Sequence, residues 1–319
     1  MLRALTTLFL ASLLTWAQAA VAQTRSSLWE QDLRLASLAE RLMGANAHLC
    51  RQTMPLTGMI IHSADQYGQE AGGWFVNGAA SVAQIIPGSA AEQAGLRPGD
   101  GLIAIDNMPV DRLPRRPGFP LRDEVFEQLA HLSGPITLDV RREGALHRVR
   151  MNTPHGCRVL VEVLADSGNT ARSDGRVIQI SHALAARLDE PGLAVLFSHE
   201  LAHAVLDHQR RLREAGVAEG FAAEFGRSRR LTRQAEVEAD LLSAHLLANA
   251  GFDPAIAPAF WQETAAQVLG TGLLRSRIYP PNGERARLIA REIASSLAGQ
   301  SLPSAAAHLL MRRDQPMSD

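Results

Sequence analysis

Glu190-Pro191-Gly192-Leu193-Ala194-Val195-Leu196-Phe197-Ser198-His199-Glu200-Leu201-Ala202-His203-Ala204-Val205-Leu206 decides how this chain is read. Asp189 before it offers an N-cap, Glu190 an acidic first turn and Pro191 an early-helix proline, so a helix is predicted. Leu193, Val195, Leu196, Phe197, Leu201, Val205 and Leu206 leave it little polar surface, and the helix is expected to be largely buried. His199 and His203 are four residues apart, share one helix face and can grip a single metal ion. Glu200 beside the first is placed to act as general base toward a water. Burying His-Glu-His is costly unless something satisfies it, and zinc is the simplest satisfier. The alternative is two core histidines bonded to backbone, with the glutamate exposed.

A catalytic zinc has three protein ligands and one open position. The metzincin pattern needs Gly and His where Leu206 and Gln209 stand, and the Asn-Glu context of thermolysin-like enzymes is absent. The downstream candidate is instead Glu236-Val237-Glu238-Ala239-Asp240, opening an apolar run to Gly251. Glu236 and Asp240 share a helix face, so one can bind metal while the other orients a ligating imidazole. Glu238 points about 200° away and is expected in solvent.

On these two helices the chain resembles the zinc peptidases that include the CaaX prenyl proteases, HtpX and BepA. The resemblance implies an α+β fold: a mainly helical zincin-like domain with a small sheet. It makes His199, His203 and Glu236 ligands of one zinc ion, Glu200 the base, and Asp240 the residue that orients an imidazole. Asn169-Thr170-Ala171, Gly175, Ile178 and Ile180 match the family's Asn-Ala segment, which implies substrate binding at Asn169, Ile178 and Ile180. Tyr279-Pro280 lies six residues before Arg285, where the family has His-Pro and then Arg. A tyrosine hydroxyl can stabilise an oxyanion, or Tyr279 is simply structural. The match spans residues 156–298.

At 319 residues the chain has room for two domains and an export signal. Net charge of −1 and 46% apolar content suit an ordinary globular protein, and nothing in the balance suggests nucleic acid. All 32 basic residues are arginine. Residues 1–22 read as a secretory signal: Arg3, an apolar segment from Ala4 to Trp16, and Ala20-Val21-Ala22 as the cleavage site. The expected location is the periplasm, with no stable membrane span after cleavage; an uncleaved anchor is the alternative. Cys50 and Cys157 are the only cysteines, and export permits a disulfide between them, or else they are two small buried thiols.

Residues 27–50 read as an amphipathic N-terminal helix of the peptidase domain. Between the cysteines, Val82–Ile86 and Leu102–Asn107 read as strands around Pro87-Gly88-Ser89-Ala90-Ala91-Glu92-Gln93-Ala94-Gly95-Leu96-Arg97-Pro98-Gly99-Asp100. Ser89 is expected to cap a short helix, Gly95 to end it, and Pro98-Gly99-Asp100 to turn the chain. A helix over 123–132 and a hairpin around Gly144 complete the module. Residues 56–152 resemble a PDZ domain, most closely that of exported HtrA-like proteases, inserted ahead of the metal helices. The resemblance implies strand addition of an extended peptide. Gly72-Gly73-Trp74-Phe75 is the candidate carboxylate loop, with the groove between it, the strand after it and the 123–132 helix; a purely structural PDZ is the alternative.

The arginine-rich link over 210–233 reads as a solvated, mobile loop, His208 as solvated, and residues 299–319 as a loosely ordered tail. His62 and His245 have no partner that the sequence identifies. These features together predict a zinc endopeptidase acting on unfolded or misassembled envelope proteins. The rival is a PDZ chaperone or adaptor with a structural or inactive zinc site.

Overall fold

The computed structural model describes residues 27–67, 73–217, 226–269 and 279–317. The expected signal, residues 1–22, lies outside them. The chain is a mixture of helix and sheet, and its buried apolar residues fall into two large clusters.

One cluster belongs to the module between the cysteines. Helix α1 (residues 27–45) and strand β1 (Thr53–Pro55) lead into β2 (Met59–Ser63), β3 (Ala80–Ile85), α2 (Ala90–Gln93), β4 (Gly101–Ile105), β5 (Met108–Pro109), α3 (Leu121–Ala130), β6 (Ile136–Arg142) and β7 (Ala145–Met151). The sheet order is β2-β3-β4-β6-β7, with every pairing antiparallel. Val82, Leu102, Ile105, Val125, Ile136, Leu138 and Val140 fill its core, the residues of β6 coming from alternate positions as a half-buried sheet requires. Ser89 accepts the Glu92 N–H at the start of α2, and Gly95 (φ +78°) ends it as expected. Helix α3 begins at Leu121, two residues before the expected start.

The module stands on a two-stranded stalk. β1 pairs antiparallel with β8 (His155–Cys157), Thr53 lying opposite Cys157. The expected Cys50–Cys157 disulfide is present, its Cα atoms 5.4 Å apart, and closes a sequence separation of 107 residues. In chain-entropy terms such a loop contributes about 4–5 kcal/mol. The Cys50→Ser/Cys157→Ser double variant is therefore expected to lose that much in denaturant unfolding; a loss below about 1 kcal/mol would show that the stalk holds without its crosslink.

The other cluster joins α1 to everything after the stalk. Strands β9 (Leu160–Leu164), β10 (Ala171–Ser173) and β11 (Val177–Ser181) form a sheet with β11 in the middle, parallel to β9 and antiparallel to β10. Next come α4 (His182–Arg187), α5 (Glu190–Val205), α6 (His208–Glu214) and α7 (Gly226–Asn249). Beyond them lie α8 (Ile256–Ala259), a π-helical turn Phe260–Thr264, α9 (Ala265–Leu269), α10 (Asn282–Glu292) and α11 (Ala307–Arg313). Asp189 Oδ1 accepts the Gly192 N–H at 2.9 Å, the expected N-cap of α5. Leu35, Leu38 and Leu42 of α1 pack into this cluster with Leu193, Phe197 and Leu246. Ion pairs Arg122–Glu162 (3.0 Å) and Arg158–Glu127 (2.6 Å) hold α3 against this second lobe.

Two expectations fail here and two histidines gain partners, in each case because tertiary packing supplies contacts that local sequence does not show. In the 210–233 link, α6 is a helix with Arg211 buried, and α7 begins at Gly226, so Glu236 lies inside that helix rather than at its start; residues 218–225 lie outside the described set. The tail is anchored: Leu309 and Met317 are buried, and the Ser304 N–H donates to Asn249 Oδ1 at 2.6 Å. His245 does have partners, Ser304 Oγ at 2.7 Å and Glu292 Oε1 at 2.9 Å, and His62 meets Tyr67 Oη at 2.5 Å. Among the described residues no helix is long and apolar enough to cross a membrane.

Candidate metal centre and peptide groove

Helices α5 and α7 lie against each other, and their contact line carries the polar cluster the sequence singles out. His199 Nε2 and His203 Nε2 stand 3.2 Å apart. Glu236 Oε2 is 3.3 Å from the first and Oε1 is 3.7 Å from the second. Donor atoms about 2.0–2.1 Å from a tetrahedral zinc ion stand roughly 3.3 Å from one another, so the spacing fits such an ion. Glu236 is 7% exposed, and its buried Oε2 finds no hydrogen-bond donor at a bonding angle. An orphaned carboxylate oxygen facing two imidazole nitrogens fits a cation better than a hydrogen-bonded core.

The outer partners fix which ring nitrogens face this point. His199 Nδ1 lies 3.1 Å from Asp240 Oδ1, and a carboxylate can only accept, so Nδ1 carries the proton and Nε2 offers its lone pair. Arg285 of α10 holds Asp240 through two contacts at 2.5 and 2.7 Å, and its guanidinium stacks 3.3 Å over the Trp261 ring. On the other side, His208 Nε2 lies 3.2 Å from Glu238 Oε2, and its Nδ1 is 2.9 Å from His203 Nδ1. The assignment that satisfies His203 Nδ1 and both nitrogens of His208 runs His203 Nδ1–H to His208 Nδ1, then His208 Nε2–H to Glu238. Both metal-facing nitrogens are then unprotonated.

Glu238 and His208 therefore overturn their expected place in solvent. Glu238 is fully buried, because α6 and the anchored tail cover the back of α7; Arg211 Nη1 donates to it at 2.7 Å. Its carboxyl is held low, at about 2: burial opposes this, and the hydrogen bonds from His208, Arg211 and Gln234 outweigh burial. At the centre, burial opposes charge on His199 but Asp240 and then Glu236 raise it to about 9. Burial dominates at His203 and lowers it to about 3. The two carboxylates thus stabilise one positive charge between them, a proton or a metal.

Glu200 is 9% exposed, and burial first, then Glu236, pushes its carboxyl up to about 7 against His199 and Arg285. Tyr279 sits at the surface, 41% exposed; from that segment it is Arg285 that enters the cluster. Asn169 is exposed and accepts from Arg187 Nη1 at 2.9 Å. Ile178 and Ile180 are fully buried core residues, which corrects their expected contact with substrate. Both edges of their strand β11 are already paired, so no further strand can add there. Among the described strands β10 has an unpaired edge, and it lies against α5.

In the first module the strand after the expected carboxylate loop is not an edge strand. The strand after Gly73-Trp74-Phe75 is β3, which is hydrogen-bonded on both sides by β2 and β4 and cannot accept a peptide. Gly72 lies outside the described residues. Trp74 packs on Trp29 with ring centroids 4.8 Å apart, and Phe75 lies 5.8 Å from Tyr67, so the two aromatics are used in packing. The edge strand beside α3 is β2, and the turn that enters it is Leu56-Thr57-Gly58.

A family model described as a PDZ domain matches residues 81–115, which run from β3 through α2, β4 and β5. The chain carries a PDZ domain. A PDZ domain is a protein-interaction module that takes extended peptides. No curated protein matches the chain.

Proposed function

We propose that the chain is a zinc-dependent endopeptidase of the bacterial envelope, exported by residues 1–22, that degrades unfolded or misassembled envelope proteins. The observation that carries this reading is the convergence of His199 Nε2, His203 Nε2 and the unsatisfied Glu236 carboxylate at metal-ligand spacing, with Glu200 beside them. A zinc ion held by His199, His203 and Glu236 would supply a Lewis acid for the scissile carbonyl and acidify the attacking water.

The remaining work falls to the protein's own groups. Asp240 and His208 fix the two imidazole rings, and Arg285 and Glu238 fix those partners in turn. Glu200 takes a proton from the attacking water and delivers it to the departing amine, a role suited to a buried carboxyl next in sequence to His199. A substrate strand adds to the open edge of β10, Ala171–Ser173, alongside α5. The PDZ domain, tied to the catalytic lobe by the disulfide and the Arg122–Glu162 pair, engages substrate or regulates its access.

Casein digestion and zinc content measured on the same preparation test the proposal. One zinc per chain is expected, with cleavage abolished by a chelator and restored by zinc. Zinc binding without any cleavage would support the PDZ adaptor with a structural site, and chelator-resistant cleavage would remove the metal from the reaction.

A further inference from the structure

The cavity between the two lobes, about 290 Å³, is walled by α1, β2, α3 and β9. Its lining is mainly apolar, with Leu35, Met43, Ile60, Phe126, Leu129 and Val161 among the wall residues. β2 pairs only with β3 and β9 only with β11, so among the described strands each presents an unpaired edge. Open edges of this kind leave backbone N–H groups in need of acceptors.

Helix α1 supplies an acid to each edge. The Gly58 N–H, in the turn entering β2, donates to Glu40 Oε1 at 2.6 Å. Asp32 of α1 stands on the β9 side, where the Val163 backbone amide favours its charged form, and its carboxylate lies 3.7 Å from His62 Nε2 of β2. Asp32, Ala36 and Glu40 are four residues apart in turn, so one face of α1 carries both acids into the cavity. Gly58 has φ +76°, and a Cβ there would fall 2.0 Å from Ser89 Cβ, so the turn is held tightly with its amide directed at Glu40.

A peptide that adds to an edge strand and ends there places its terminal carboxylate on the amides of the turn before that strand. The Glu40 carboxylate occupies that amide. We propose that Glu40 is a resident stand-in for the C-terminal carboxylate of an extended peptide, so that the β2–α3 groove accepts apolar C-termini only by displacing it. The occupant is thus an extended chain end with a free carboxylate and apolar last residues, which match the apolar wall. α1 is anchored in the catalytic lobe through Leu35, Leu38 and Leu42, so the competition is between carboxylates at a fixed site rather than removal of a helix. The proposal uses the PDZ domain and α1 alone, and stands or falls independently of the metal centre.

Fluorescence anisotropy on the full chain tests this, with a fluorescein-labelled decapeptide pool randomised among apolar residues at the last three positions. The pool is prepared with free and with amidated C-termini. Hydrogen bonds to charged groups set the scale: Glu40→Ala is expected to bind the free-carboxylate pool about tenfold or more tightly than the native chain, with no gain for the amidated pool. Glu40→Gln, which keeps the side-chain shape, should give a smaller gain in the same direction, and carries the test if the alanine variant loses its cooperative melt. Asp32→Asn, which alters the β9 side, should give no carboxylate-dependent gain. Equal affinities of native and Glu40 variants for the free-carboxylate pool, binding by neither, or the same gain for the amidated pool would each overturn the proposal.

Discussion

Glu200→Gln is expected to lower kcat/KM on a casein-derived quenched-fluorescence peptide by about 10²–10⁴-fold while zinc content stays at the native level. The reason is a division of roles. The three atoms proposed to hold the metal belong to His199, His203 and Glu236, and none belongs to Glu200, so that set survives the substitution. Glutamine matches the shape of the carboxylate inside α5, where Glu200 is 9% exposed, so packing is preserved. The loss is confined to the group that accepts and returns a proton. Glu236→Ala is expected to differ, losing metal and activity together. A zinc-loaded Glu200→Gln variant that keeps activity within tenfold of native would dismiss Glu200 as the base and with it the proposed chemistry.

The second large effect is on stability, at a residue that touches no metal-facing atom. Glu238→Gln leaves the buried Arg211 guanidinium without its counter-charge and weakens the acceptor that fixes His208. Breaking one side of a buried ion pair costs about 3–5 kcal/mol. For a chain of this size that corresponds to a fall in Tm of roughly 10 °C. Because His208 in turn fixes His203, zinc affinity is expected to weaken about 10–100-fold as well. The pH dependence has a definite sign. The Glu238 carboxyl sits below its ordinary range at about 2, so its stabilisation is complete above about 4.5 and is lost as pH falls toward 2. Native stability should therefore drop more steeply than that of the glutamine variant across this window. Parallel acid titrations followed by circular dichroism would show it, and coincident curves would mean that Glu238 is no part of the centre's support.

The centre is legible in the sequence where its geometry is local. Four-residue spacing on a helix puts His199 beside His203 and Glu236 beside Asp240 whatever the rest of the chain does, and the structure brings the two pairs together. Ser89, Gly95 and Asp189 are readable for the same reason, since caps and positive-φ positions depend on neighbouring residues. Arg285 is visible only as part of a family pattern, because its partner Asp240 is 45 residues away. Glu238 and His208 escape such a reading because helical periodicity says which side of a helix a residue is on, not what covers that side. Here α6 and the anchored tail cover it. Ile178 and Ile180 read as substrate-binding from the resemblance alone, and strand order and burial make them core.

By itself the amino-acid sequence determined the caps of α2 and α5, the four-residue spacings on α5 and α7 and the single possible cysteine pair, since each depends on backbone geometry over a few residues or on a count. Only the tertiary structure decided which strand edges stay open, which acids are buried, and that α1 reaches across to meet Gly58 with Glu40. Those properties depend on which surfaces exclude water from one another, and segments far apart along the chain settle that together.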